Sequence, residues 1–332
     1  MTKIISKNEI KDAAKCIQDG GTVVFPTETV YGLGADGMNA DAVKKIFIAK
    51  GRPSDNPLIL HIADRTGLSL LVKNISDTAN KMMDKYWPGP LTLIFSKSEN
   101  IINEVCAGLD TVAVRMPSNP IARELIALSG TAIAAPSANL SGSPSPTVTR
   151  HVIDDLNGRV DYIIDGENCE IGLESTVVDV SGAHPVILRP GGITLEELQK
   201  IAPDTMLDDA LLKMVEKPKC PGMKYTHYSP KAKVTVVEGE KEKVRRYIQD
   251  KIDNFDKKCG VLSYFKNTYE NAQIIDAGSN MNEYAKGLFY NLRRFDEFGV
   301  SEVFVEFEET DGIGLAVKNR LYKSAGHNVI KL

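Results

Sequence analysis

Ile10, Ala13, Ala14 and Ile17 recur at the spacing of one helix face, and Ser6 with Glu9 three positions on forms a capping box before them. The pattern predicts a short strand at 4–5, this helix, and a strand over 22–25 that Pro26 closes. Residues 41–50 carry Val43, Ile46 and Phe47 on one face, with Gly51 where a C-cap glycine belongs, and read as a helix. Strands are predicted at 58–62, 91–95, 111–115, 131–135, 162–165, 175–180 and 186–188, with a helix at 77–86. Helices separate some strand pairs and short turns join others, so the sheet should be mixed.

After a helix capped by Thr194 and Glu197 the character changes. Residues 203–230 carry Pro203, Pro218, Pro221, Gly222 and Pro230 and read as a linker, with a helix within 208–216. Beyond it, strands at 234–237, 260–264, 273–276 and 302–307 alternate with helices near 240–254, 280–298 and 312–325. That is the pattern of a small, mostly parallel, Rossmann-like sheet, without any Gly-x-Gly-x-x-Gly fingerprint for a dinucleotide. The expected fold class is therefore α/β, a twisted mixed-sheet domain over 1–205, a linker over 206–230 and a smaller parallel-sheet domain over 231–332.

Composition narrows the function classes. The 332 residues are 42% hydrophobic and 25% charged, enough for a real core in each half. Forty Lys and Arg against forty-four Asp and Glu give a charge of −4, which argues against non-specific nucleic-acid binding. The basic cluster 241–246 reads as a solvated helix face. Cys16, Cys106, Cys169, Cys220 and Cys259 are scattered, with neither disulfide nor zinc spacing. No apolar run approaches a membrane span and no secretory leader is evident, so a cytoplasmic protein is expected.

Four groups of residues could carry chemistry. Phe25-Pro-Thr-Glu-Thr-Val-Tyr-Gly-Leu-Gly34 follows a strand end, where α/β proteins often place ligands; the bland reading is a strand-to-helix loop. Lys50 closes a helix, where the dipole favours a cation regardless of function. Arg52, stiffened between Gly51 and Pro53 and followed by Asn56, suits a phosphate or carboxylate. His61 alone on an apolar strand reads as a core histidine unless its neighbours give it work. The loop 134–147, rich in Ser and Thr, could cradle phosphates or merely connect, and no P-loop occurs anywhere. Arg115 and Arg189 at strand ends read as structural ion pairs or, together with Arg52, as a polyanion pocket.

These segments, in this order, resemble the threonylcarbamoyl-AMP synthase family with its YrdC-type fold. The resemblance runs through Phe25 to Gly34, Lys50 to Pro57 with His61, Trp87-Pro-Gly-Pro-Leu-Thr92, Ala107 to Pro117, Ala135-Pro-Ser-Ala-Asn139 and Leu188-Arg-Pro-Gly191. The stretches 221–230 and 312–320 resemble the longer, two-domain branch. The resemblance implies synthesis of threonylcarbamoyl-AMP and pyrophosphate from L-threonine, bicarbonate or CO2, and ATP. Mg2+ would be carried on the ATP phosphates, with no protein-bound metal site. The product would pass to a downstream tRNA threonylcarbamoyl transferase, and direct tRNA binding is left open. Carried over by motif, Lys50, Arg52, Ser137 and Asn139 form the polar set around the phosphates. Asn56, Thr111, Ser145 and Arg189 fall on the nucleotide side. Thr27, His61, Arg115, Ala135 (through its backbone) and Ser175 fall on the threonine side. Tyr228 and Ser229 match linker residues that reach over the nucleotide, which suggests a lid. An RNA-binding module and carbamoyl transfer in metalloenzyme maturation are the rival readings; the second usually comes with a zinc finger, which this cysteine spacing lacks.

Overall fold

A computed structural model describes residues 1–209, 211, 227–308 and 311–332. Most of the expected helix within 208–216 and most of the proposed lid, 221–226, lie outside the described residues. The chain divides into two compact units, one of residues 1–141 and 145–212, the other of Gly142–Pro144 and 213–332.

The first unit opens with β1 (Lys3–Ile5), a 3-10 turn (Lys7–Glu9), α1 (Ile10–Gln18), β2 (Val23–Phe25), β3 (Gly32–Asp36) and α2 (Ala40–Lys50). There follow β4 (Ile59–His61), α3 (Leu68–Leu71), α4 (Asp77–Tyr86), β5 (Leu91–Ser96), α5 (Asn103–Cys106), β6 (Thr111–Arg115) and α6 (Pro120–Ser129). β7 (Ile133–Ala135), α7 (Thr149–Leu156), β8 (Tyr162–Ile164), β9 (Thr176–Asp179), β10 (Val186–Arg189), α8 (Leu195–Gln199) and β11 (Met206–Leu207) complete it. Among the described residues its eleven strands form one mixed sheet, in the order β1-β8-β2-β3-β7-β4-β6-β5-β9-β10-β11.

Strand alternation divides the core between the two faces of this sheet. Val23, Phe25, Ile133 and Ala135 point to one face, against Ile10, Ala13 and Ile17 of α1 and Leu125 and Ile126 of α6. Val24, Ala134 and Leu60 point to the other, against Val43, Ile46 and Phe47 of α2 and Met82 and Met83 of α4. The capping box forms as expected, with the Ser6 amide donating to Glu9 Oε2 at 3.0 Å. One sequence reading needs correction: the segment from Phe25 to Gly34 is a hairpin and not a strand-to-helix loop, because Gly32–Asp36 pairs antiparallel with β2. Gly-Leu-Gly-Ala-Asp has no strand-like composition, since the Phe25 ring covers both glycines. A Cβ on Gly34 would lie 2.6 Å from Ile133 Cγ2 and 2.7 Å from Phe25 Cε1.

The second unit is built from β12 (Lys233–Glu238), α9 (Lys241–Asp253), β13 (Cys259–Ser263), β14 (Ala272–Asp276), α10 (Met281–Phe298), β15 (Glu302–Phe307), α11 (Ile313–Ser324) and β16 (Val329–Lys331). Its strands are all parallel, in the order β14-β13-β15-β12-β16. The sequence pattern omits β16, a three-residue, partly exposed edge strand with too little apolar periodicity to register. Among the described residues no helix is long and apolar enough to cross a membrane.

Candidate active site

Three groups of sequence-predicted side chains come together in the first unit. The first lies at the end of α2. Asn39 caps that helix by accepting from the Asp41 and Ala42 amides, and Gly51 ends it in the left-handed conformation, which fixes Lys50 in a buried last turn. Lys50 Nζ donates to the Asn139 carbonyl at 2.6 Å, to Asn139 Oδ1 at 3.3 Å and to the Ser137 carbonyl. Ser137 Oγ donates to Asn139 Oδ1 at 2.6 Å. Backbone bonds from Leu33 to Pro136, from Ala138 to Tyr31 and from Ser141 to Lys50 order the loop after Ala135, the last residue of β7. Leu140 N also donates to Asp155 Oδ2 at 3.1 Å. Its Ser-rich composition therefore encodes a bonded turn at this end, and the flexible connector reading falls away.

The second group sits at the ends of β4 and β6. His61 faces Arg115 across one strand pair and Ile133 across the other. Burial, aided by the Arg115 charge, pushes the His61 imidazole down to about 3, so it is neutral, with Nδ1 3.1 Å from the Ile59 carbonyl. Arg115 is itself buried; Nη2 donates to Glu28 Oε1 at 2.5 Å and Nε to the Gly89 carbonyl at 3.3 Å. Thr27, just before Glu28, accepts from the Thr29 and Val30 amides and donates to the Val30 carbonyl at 2.6 Å. It thus closes a local hydroxyl turn. Burial pushes the neighbouring Cys169 thiol up to about 12, which makes it a poor nucleophile.

The third group joins β5, β9 and β10. Ser175 Oγ lies 2.7 Å from Thr92 Oγ1, and Arg189 donates from Nη2 to Ser175 Oγ and from Nε to the Ser175 carbonyl, both at 3.1 Å. Thr92 is the register partner of Arg115, which sets this group beside the second. Ser145 Oγ donates to Glu174 Oε1 at 2.6 Å, so the far end of the loop after β7 is anchored next to Ser175.

Arg52 is half-buried, and its amide donates to the Phe47 carbonyl at 3.0 Å. Asn56 is exposed beside Asp55, and Thr111 starts β6 at the opposite end from Arg115. Tyr228 and Ser229 belong to the second unit, where the Tyr228 ring packs against Phe289 at 5.1 Å and Ser229 N donates to the Gly142 carbonyl at 2.9 Å. Sequence reasoning gave no role to Glu28, Thr92 or Glu174, although each lies inside or next to a segment that was singled out. A lone carboxylate in Pro-Thr-Glu-Thr was the available signal for Glu28. Its partner is 87 residues away, a pairing that spacing cannot reveal. Among the described residues no group of three or more His, Cys, Asp or Glu is placed to hold a metal ion.

Comparison with known proteins places the chain in a family. A family model described as telomere recombination matches residues 15–191, and one described as the threonylcarbamoyl-AMP synthase C-terminal domain matches 193–326. A threonylcarbamoyl-AMP synthase of Pyrococcus abyssi is 48% identical over 342 aligned positions that cover 100% of both chains. One from Bacillus subtilis is 46% identical, covering 100% of this chain and 97% of its own. The solved P. abyssi structure in complex with L-threonine superposes with a TM-score of 0.93 at 47% identity, covering 100% of this chain and 99% of the other. With both family models, full-length relatives and the whole fold in agreement, the chain belongs to the threonylcarbamoyl-AMP synthase family.

Proposed function

We propose that this protein is an L-threonylcarbamoyladenylate synthase. It converts L-threonine, bicarbonate or CO2, and ATP into threonylcarbamoyl-AMP and pyrophosphate for N6-threonylcarbamoyladenosine in tRNA. The observation that carries this reading is the match along the whole chain to a relative whose fold has been seen with L-threonine bound.

The chemistry asks little covalent work of the protein. The free amine of threonine captures CO2 as a carbamate and gives up a proton. A carbamate oxygen then attacks the α-phosphorus, and the bond to pyrophosphate breaks. Carbamates decompose in water, so the site must hold this one in line and keep solvent away. Lys50, Arg52, Ser137 and Asn139 are assigned to the phosphates, with Asn56, Thr111, Ser145, Arg189, Tyr228 and Ser229 also on the nucleotide side. The ordered Ser137–Asn139 turn, gripped by buried Lys50, supports that assignment. Mg2+ carried on the ATP phosphates would neutralise charge on the departing pyrophosphate. Thr27, His61, Arg115, the Ala135 backbone and Ser175 are assigned to threonine; a buried guanidinium beside a neutral imidazole suits a carboxylate next to a hydroxyl.

We assign catalysis to residues 1–205, joined by 206–230 to a C-terminal part over 231–332. The scattered free cysteines fit the reducing cytoplasm, where a tRNA-modifying transferase would consume the product. The test is incubation of the pure protein with ATP, Mg2+, bicarbonate and L-threonine, following pyrophosphate and detecting the adenylate by mass spectrometry. Both products should depend on threonine and on bicarbonate. Pyrophosphate release indifferent to threonine would point to another acceptor.

A further inference from the structure

The carboxylate of Glu28 is enclosed and bonded on both oxygens, to Arg115 Nη2 at 2.5 Å and to the Ser118 amide at 3.2 Å. Its main chain is pinned as well, since the Glu28 carbonyl accepts from the Ile171 amide at 2.9 Å. Arg115 is held from a second side by the Gly89 carbonyl on Nε. Those two bonds take the Nε hydrogen and one of the two hydrogens on Nη2. A guanidinium has five N–H groups, so both hydrogens of Nη1 and one of Nη2 are left for a planar anionic partner.

We propose that Glu28 is the positioning residue of the threonine pocket, holding Arg115 through Nη2 so that its remaining N–H groups receive the amino-acid carboxylate. The inference rests on the assignment of Arg115 to threonine. Folding alone gives weak reason for two buried charges here, because well-packed apolar residues often serve stability as well or better. A clamp gives a specific reason. A bidentate contact needs its donors in one plane and one orientation, and a guanidinium on a flexible stem acquires that orientation only from fixed partners. Glu28 supplies one, and is itself fixed by the Ser118 amide at the entry to α6; the Gly89 carbonyl supplies the other.

The test compares E28Q, E28D and R115Q by steady-state kinetics, with KM for threonine and for ATP determined separately. E28Q keeps the size and loses the charge; E28D keeps the charge and loses reach. Both should raise KM for threonine, E28Q by on the order of tenfold, while KM for ATP stays within about twofold of the parent value and circular dichroism shows a folded protein. A merely structural Glu28 would lower the active fraction and leave KM for threonine where it was, and that result overturns the clamp. Should E28Q fail to fold, E28D decides, with an unchanged KM for threonine again the overturning result. R115Q separates the two levels. If it leaves KM for threonine unaltered, the assignment of Arg115 falls and takes the inference with it. If R115Q is impaired while E28Q and E28D are not, only the clamp falls.

Discussion

Two side chains in this site are buried for opposite reasons. Lys50 is tolerated in the interior because its amino group donates to the Ser137 and Asn139 carbonyls and the Asn139 side chain. Replacing it with Met leaves those acceptors short of a donor, at a cost of about 1–3 kcal/mol. Turnover in K50M should fall by about 10²–10³, as when a charge-stabilising donor is removed from a reaction site. Pyrophosphate release and urea denaturation measure the two effects separately. His61, in contrast, is buried without charge. Its folded value of about 3 lies below the ordinary imidazole value of 6.5, so the unfolded chain binds the extra proton between those limits. Its contribution to stability is complete above pH 6.5 and is lost as pH falls towards 3, with a slope approaching about 1.4 kcal/mol per pH unit. H61Q should flatten that part of the stability profile, read from urea midpoints at successive pH values. An unchanged profile would mean that other groups set the acid limb.

At the scale of elements, much of the regular structure was legible where burial imposes a period, although α6 and α7 went unread despite their buried faces. The face of α1, the ends of α2 and the buried strands could be read because one residue in two or in three and a half must be apolar. β3 could not, since its glycines answer to a ring on the neighbouring strand, and β16 offers only three partly exposed residues. The turn after β10 has a similar hidden constraint. A Cβ on Gly191 would lie 2.4 Å from the Thr176 amide nitrogen and 2.5 Å from the Glu174 carbonyl oxygen. Both neighbours are backbone, so neither can turn aside, and Ser175 and Arg189 are tied to the same stretch. G191A should therefore lower stability by more than about 1 kcal/mol and weaken threonine binding together. Calorimetric titration alongside thermal unfolding measures both, and a variant that loses stability with threonine affinity intact would detach Ser175 from the substrate.

For the molecule as a whole, pairings across distant segments decide what each unit can hold, and sequence spacing is silent about them. The Rossmann-like pattern of the second unit was visible, but its buried polar centre was not. Glu306 in β15 accepts from Ser263 Oγ at 2.9 Å, the Phe265 amide at 2.7 Å, Asn267 Nδ2 at 2.9 Å and Tyr269 OH at 2.5 Å. Burial and this carboxylate push the Tyr269 hydroxyl well above its usual range. Removing one acceptor that serves four donors is costly, because the donors stay buried when it goes. E306L should therefore destabilise the second unit by at least about 3 kcal/mol, seen as faster hydrogen exchange in β13 and β15. Unit 1 has its own reporter in the single tryptophan, Trp87, which is buried and donates to the Leu91 carbonyl at 2.7 Å. Every residue assigned to threonine lies in unit 1, so threonine affinity should survive E306L under conditions where the variant remains folded. If affinity is lost while Trp87 emission still reports a folded unit 1, the threonine side cannot be assigned to that unit alone.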